Sequence, residues 1–379
     1  MHGTIPHFDT SAAAGGVLTI DCGALADNYR RLRAQVAPAR AAAVVKANAY
    51  GLGALDVVPE LMAAGCRDFF VAHLGEALEL LPAVRGEHGA RGLAQPRLYV
   101  LNGLMPGSEG ACAAAGIVPV INSLDQLARW ARTAAARGEK LPAVLQFDSG
   151  MSRLGMAPEE AGVIVREGLA EGLDILAIMS HLASADEPHN PQNDDQLRVL
   201  RTIAAAFPDA LVSFANSGGA FLGADYHGAL ARPGIALYGG APTAAGKNPM
   251  RPVVRLDVRV IQTRTVPAGA RIGYGGAFVA PSAMRLATLA VGYADGLPRC
   301  LGNRGAAWFE RMRLPMVGRV SMDSLIVDAT ALPEGALAEG ALVELIGPHQ
   351  SLEDLAAAAG TISYELLTQL GRRYHRRYR

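Results

Sequence analysis

The chain carries no net charge: 35 Lys and Arg are balanced by 35 Asp and Glu over 379 residues. Neutrality removes the electrostatic case for a nucleic acid or an anionic membrane as partner. The one basic cluster is C-terminal, Arg372, Arg373, Arg376, Arg377 and Arg379, with Tyr374, His375 and Tyr378 between. No second patch extends it, so it reads as a solvated or docked terminus rather than a nucleic-acid tail. Cysteine is sparse. Cys22, Cys66, Cys112 and Cys300 lie far apart with no Cys-x-x-Cys pair, which suggests neither a zinc site nor a disulfide framework and fits a reducing cytoplasm. No run of about 18 apolar residues is present to span a membrane. Met1 to Gly16 lacks the basic start and apolar centre of a signal peptide and reads as a flexible Ala/Gly-rich tail, residues 1–16.

What is present is the composition of an ordinary soluble enzyme, half hydrophobic and rich in Ala and Gly. The length predicts two domains of unequal size. From residue 41 to about 240, eight short strand-like runs alternate with helical patterns: Ala41–Lys46, Phe69–His73, Arg97–Leu101, Val118–Asn122, Ala143–Asp148, Ile175–His181, Leu211–Asn216 and Leu230–Tyr238. Eight strand–helix units in about 200 residues predict an α/β domain, a closed (β/α)8 TIM-type barrel. A doubly wound sheet would carry a Gly-rich first turn, which is missing. After Tyr238 a Gly/Pro/Ala/Thr-rich stretch reads as a linker to Pro252. Beyond it, Val253–Thr265, Met284–Val291, Met316–Val320, Ser324–Asp328 and Leu342–Ile346 are β-type runs, with a helix from about Leu352. The predicted organisation is a tail at 1–16, a barrel at 17–245 and a C-terminal mostly-β domain at 246–379.

In such a barrel the chemistry sits at the C-terminal ends of the strands. The first strand ends in Lys46. A lysine at the mouth of a buried strand can be desolvated, which lowers its pKa and frees the amine as nucleophile or base, as a Schiff base with an aldehyde cofactor requires. The alternative is a strand-end lysine that simply reaches solvent. The fifth strand leads through Asp148 to Arg153, the sixth ends in Ser180-His181, the seventh in Asn216-Ser217-Gly218-Gly219, and the eighth carries Arg232-Pro233-Gly234-Ile235. The two Gly-bearing turns could offer backbone N–H groups and a hydroxyl to a phosphate. His181 alone could equally be a hydrogen-bonded core residue, and Arg232 alone could pair with a structural carboxylate.

In combination these motifs resemble alanine racemase, a pyridoxal-phosphate-dependent family of fold-type III with an N-terminal barrel and a C-terminal β domain. The resemblance runs from about Val17 to the C-terminus. It rests on Val45-Lys46-Ala47-Asn48-Ala49-Tyr50-Gly51, Ser149-Gly150-Met151-Ser152-Arg153-Leu154-Gly155, Ser180-His181, Asn216-Ser217, Arg232-Pro233-Gly234-Ile235, Gly273-Tyr274-Gly275, Gly292-Tyr293-Ala294-Asp295-Gly296, Ser321-Met322-Asp323 and Ser363-Tyr364-Glu365. It implies that Lys46 holds pyridoxal 5'-phosphate and is one catalytic base, with Tyr274 from the other subunit of a homodimer as the second. Racemisation removes the α-proton from one face and returns one on the other, which two opposed bases accomplish in either direction. Tyrosine is a poor base at its free pKa of about 10 and needs help from its surroundings. The resemblance places His181 beside it, linked to Arg232. Arg232 would face the pyridine nitrogen and leave it unprotonated, because guanidinium keeps its proton. Tyr50, Asn216, Ser217, Gly234, Ile235 and Tyr364 resemble the cofactor-binding set. Arg153 would contact the cofactor's phenolic oxygen and the substrate carboxylate. Met322, from the second subunit, would meet the same carboxylate through its backbone N–H, and Tyr293 and Tyr364 would limit substrate size. No metal is implied.

One position departs from the family pattern. Many members carry a carbamylated lysine seven residues before the arginine matched to Arg153; here Gln146 stands there, able to accept a hydrogen bond but bringing no charge. The expected activity is interconversion of L- and D-alanine, D-alanine being a peptidoglycan precursor; a breakdown role remains equally open. Alternatives are a broader-specificity amino-acid (serine) racemase or a decarboxylase of the same fold, and a non-catalytic pyridoxal-phosphate carrier. The carrier lacks a β domain, and the decarboxylase needs no opposed second base.

Overall fold

A computed structural model describes residues 10–86, 95–244 and 246–379. The chain divides into two compact units: Ala24–Arg251, and Pro252–Arg379 together with the described residues up to Gly23.

The first unit is built on parallel strands. Ala43–Val44, Asp68–Val71, Arg97–Val100, Val118–Ile121, Leu141–Gln146, Leu173–Met179 and Leu211–Ser213 pair in chain order. Helices cover the connections, so these strands are buried on both faces and read as continuous apolar runs rather than alternating ones. Asp68–Val71 and Val118–Ile121 are buried throughout. The ring closes through Leu230–Ala231, which pairs in parallel with Arg40–Ala41, the start of the first strand. On its other side, Ala229 N and Arg232 N donate to Val212 O and Ala215 O, both at 2.7 Å. The eight strands expected from the sequence are present. The eighth is shorter than expected. Pro233 has no N–H for the ladder, and the chain turns into a short 3-10 segment, Ile235–Tyr238.

Helix positions follow local signals. Ser123 Oγ accepts from Gln126 N and starts Leu124–Arg137, which ends at Gly138 in the left-handed region. That helix buries Trp130 completely, its Nε1 donating to Pro142 O at 3.2 Å. The stretch after Tyr238 is irregular and is tied back by Asn28. Asn28 Nδ2 donates to Leu237 O and Arg251 O, and its Oδ1 accepts from Arg251 N.

The second unit is mostly β. Val254–Val266 is its longest strand and pairs antiparallel with Met284–Leu289, Leu342–Ile346 and Gly16–Ile20. The strand Gly16–Ile20 spans the expected boundary between the tail at 1–16 and the barrel at 17–245. Its partners are more than 230 residues away in the chain, a pairing that local periodicity does not carry. Ala306–Phe309 and Met312–Pro315 form a hairpin. The run Met316–Val320 is a correction to the expected strand. Pairing stops at Pro315 apart from a single bridge from Met316 to Val327, and Gly318 takes a φ of 77°. The C-terminal arginines are docked. His375–Tyr378 is a parallel edge strand on Gly16–Ile20, and Arg379 N and O bond to Ile20 O and Cys22 N. Among the described residues, no helix is long and apolar enough to cross a membrane, and no cluster of His, Cys, Asp or Glu could hold a metal ion.

Candidate active site

Lys46 follows the first barrel strand, whose last peptide is fixed by Val45 N donating to Phe70 O at 2.8 Å. The chain then makes a turn of left-handed helix. Ala47, Asn48, Ala49 and Tyr50 all have φ between 53° and 55°. Such residues each cost about 1–2 kcal/mol over the right-handed form and persist only where surroundings over-determine them. Here Gly51 N donates to Ala47 O at 2.7 Å, Asn48 Oδ1 accepts from Ala54 N at 2.7 Å, and the Glu76 carboxylate accepts from Ala47 N at 2.6 Å. The half-buried Lys46 amine has a pKa below that of an ordinary lysine. Burial is the main cause, and the Arg153 and Arg232 guanidinium groups add to it against the opposing charge of Glu76.

Arg232 is 3% exposed. Its Nη1 donates to Ser213 Oγ at 2.6 Å and its Nη2 to Ser180 O at 2.7 Å, with His181 Nδ1 at 3.5 Å. No carboxylate pairs with it in these contacts. Burial lowers its pKa to about 9, which leaves it charged at neutral pH. His181 is pushed down to about 3, first by burial and then by Arg232, Arg153 and Lys46. It is therefore a neutral imidazole beside a fixed positive charge. A hydroxyl–amide network holds its backbone. Gln196 Nε2 donates to His181 O at 2.9 Å and to Ser149 Oγ at 3.2 Å, and Ser149 and Ser180 share a 2.7 Å hydroxyl bond.

A second cluster lies at the ends of strands seven and eight. Ser217 Oγ accepts from Gly234 N at 2.9 Å and from Ala236 N at 3.3 Å. The Ile235 N–H has no acceptor among the described residues. A Cβ on Gly234 would come 2.2 Å from the Tyr50 hydroxyl, and the Tyr50 ring packs on Tyr238 at 4.7 Å between centroids. Asn216 is used structurally: Nδ2 donates to Leu182 O and Oδ1 accepts from Gly219 N.

The loop to Arg153 is shaped by Asp148, whose carboxylate accepts from Gly150, Met151 and Ser152 N, each at 2.8 Å. Arg153 itself is exposed. Gln146 is 6% exposed and donates through Nε2 to Leu154 O at 3.1 Å, so a neutral amide anchors the residue next to Arg153. Gln146→Lys is expected to change KM for substrate several-fold with kcat nearly kept; steady-state kinetics with both parameters unchanged would show that this position does not act on Arg153.

In the β unit, Tyr274 is 70% exposed and sits between Gly273 and Gly275, at φ 72° and 69°. Tyr293, Met322 and Tyr364 are also exposed. Tyr293 and Met322 share a surface, since Tyr293 N and Ala294 N donate to Ser321 O and Met322 O at 3.0 Å. Buried Asp295 holds this loop, accepting from Gly292 N and from Arg373 Nε and Nη2, while Arg373 Nη1 donates to Asp323.

Sequence reasoning missed Glu76, Ser213 and Gln196. Glu76 had a signal: it stands three residues after His73, where a helix-starting carboxylate reaches back to the backbone. Ser213 lies inside a strand and Gln196 on a helix, and only their partners reveal them.

The chain matches known proteins along nearly its whole length. The family model described as alanine racemase, N-terminal domain, matches residues 20–242, and that described as alanine racemase, C-terminal domain, matches residues 253–378. A catabolic alanine racemase of Agrobacterium fabrum is 58% identical over 375 residues, 99% of this chain and 95% of that protein. The alanine racemase of Brucella canis is 53% identical over 380 residues, 97% of this chain and 94% of that one. Among solved structures, the Bartonella henselae alanine racemase with covalently bound pyridoxal phosphate has a TM-score of 0.90 at 42% identity, covering 97% of this chain and 100% of that chain. The biosynthetic enzyme of Pseudomonas aeruginosa has a TM-score of 0.85 at 34% identity, covering 97% and 99%.

Proposed function

Because this chain belongs to the alanine racemase family, we propose that it interconverts L- and D-alanine with pyridoxal 5'-phosphate as cofactor, in a homodimer whose two bases are Lys46 and Tyr274 of the partner subunit. The observation that carries this reading is the Lys46 amine, held below its ordinary pKa at the mouth of a barrel strand, with Arg232 and Arg153 as the cations acting on it.

The residues present fit the cofactor. The Ser217 hydroxyl, the Ile235 N–H, which meets no acceptor among the described residues, and the Tyr50 hydroxyl, which Gly234 admits by having no Cβ, form a cradle suited to a phosphate. When bound, the cofactor supplies an aldehyde for the Lys46 amine and a ring that delocalises negative charge from the substrate α-carbon. The chain's own groups do the rest. Arg232, fixed by Ser213 and Ser180, would present its charge to the ring nitrogen while keeping its own proton. Neutral His181, whose Nδ1 lies 3.5 Å from Arg232 Nη2, would stand beside Tyr274 of the partner subunit. Lys46 exchanges the α-proton on one face and Tyr274 on the other; whichever base takes it, the opposite one returns a proton. Arg153, with the backbone N–H of Met322 of the partner subunit, would receive the substrate carboxylate, and Tyr293 and Tyr364 favour a small side chain. Asn216 keeps the turn beside Ser217 in shape.

Two measurements test this reading. Loss of optical activity of L-alanine, run beside L-serine and L-lysine with added pyridoxal phosphate, is expected to select alanine. Comparable rates on serine or lysine would move the assignment to a broad-specificity racemase, and no racemisation would overturn it. Gly234→Ala places a methyl against the Tyr50 hydroxyl. Overpacking of this kind costs about 1–3 kcal/mol, so the Kd for pyridoxal phosphate is expected to rise by about 5- to 140-fold. An unchanged Kd in a fluorescence titration would remove the cradle assignment.

A further inference from the structure

Glu76 is not among the residues whose type and spacing announced the site, yet its carboxylate touches the segment that carries Lys46. One oxygen accepts from Ala47 N at 2.6 Å; the other accepts from Ala72 N at 2.7 Å and His73 N at 3.1 Å. The side chain comes from the first turn of helix Leu74–Arg85. It ties together the end of the second barrel strand, the start of that helix and the first peptide after Lys46. A helix start needs one backbone acceptor from a carboxylate at this position. The bond to Ala47 is additional, and it fixes the peptide at which the left-handed turn begins.

Charge gives the same residue a second effect. The charged and titratable groups that act on Lys46 are Arg153 from the loop after the fifth strand, Arg232 after the eighth, and Glu76. His181, after the sixth strand, feels Lys46 in turn and is neutral. Burial and both arginines disfavour the ammonium form; Glu76 alone in this set favours it.

We propose that Glu76 is a positioning residue for Lys46: its carboxylate pins the left-handed turn at Ala47 and sets a negative charge against the two arginines at the amine. This rests on the assignment of Lys46 as the reactive lysine. A lysine pushed too far down would be neutral but weakly basic, whereas catalysis needs a pKa near the working pH. Glu76 limits how far Arg153 and Arg232 take it.

The test is the pH midpoint of Lys46 acylation by acetic anhydride, read by peptide mass spectrometry on full-length protein stripped of cofactor. Glu76→Gln keeps size and an acceptor oxygen but removes the charge, and the midpoint is expected to fall by about half a unit to one unit. Glu76→Asp keeps the charge but is one methylene short. Its midpoint is expected to stay near that of the wild type while amide exchange in the peptide spanning residues 47–53 speeds up. A Glu76→Gln midpoint equal to the wild type would overturn the proposal. Should that variant not fold, Glu76→Asp decides: a midpoint that falls in step with loosening of the turn would show that Glu76 acts through structure alone. The readout needs no turnover, so a failure here is distinct from a failure of the racemase reading, which the optical-rotation assay reports.

Discussion

Lys46→Arg lowers kcat for alanine racemisation by at least about 10^3-fold, the upper part of the range for losing a positioned base. Arginine preserves the positive charge and much of the length, so the left-handed turn and the bonds from Ala47 N and Gly51 N have no reason to change. What is lost is chemistry. A guanidinium keeps its proton at neutral pH even when buried and so does not act as a base there, whereas the lysine amine is already lowered by burial and by Arg153 and Arg232. Guanidinium also does not condense with an aldehyde as an amine does. The variant is therefore expected to melt within a few degrees of the wild type and to be almost inactive. Activity within 10-fold of the wild type would remove Lys46 from the mechanism.

Tyr274→Phe is expected to lower kcat by about 10^2–10^4-fold with no loss of stability, since the ring is 70% exposed in the chain and the change deletes one oxygen. The loss has a signature. With Lys46 intact, one face of the substrate α-carbon still has a base. Deuterium from solvent is then expected to wash into one alanine enantiomer faster than that enantiomer racemises. NMR detection of α-deuterium beside a chiral assay of the products reads both rates. Racemisation that keeps pace with exchange would mean that another group serves the second face.

Much of the barrel was legible because its strands are buried on both faces. Runs such as Phe69 to Val71 and Val118 to Ile121 stand out as apolar blocks between helical patterns. The proposed site was legible for a related reason: Lys46, His181, Asn216 and Arg232 each have an ordinary reading alone, but all fall at the ends of such runs, and it is the convergence that singles them out. The β unit was harder. Gly16–Ile20 finds its partners only through long-range pairing with Val254–Val266 and His375–Tyr378, and Met316–Val320 looks like a strand in composition but is stopped by Pro315 and turned at Gly318. The supporting layer was least legible. Ser213 holds Arg232 from inside a strand, and Gln196 holds His181 from a helix Gln192–Ala204 whose sequence shows only amphipathic spacing. Hydrogen bonds between residues distant in sequence leave no periodic trace.

The decisive experiment mixes two dead proteins. Lys46→Arg and Tyr274→Phe chains, differently tagged and co-expressed, are purified as the mixed species and assayed for racemisation. If each site takes Lys46 from one subunit and Tyr274 from the other, a heterodimer contains one doubly damaged site and one intact site. Random pairing then restores about a quarter of wild-type specific activity, and the isolated heterodimer about half. No recovery above the parent variants would place both bases in one chain and contradict the shared-site account.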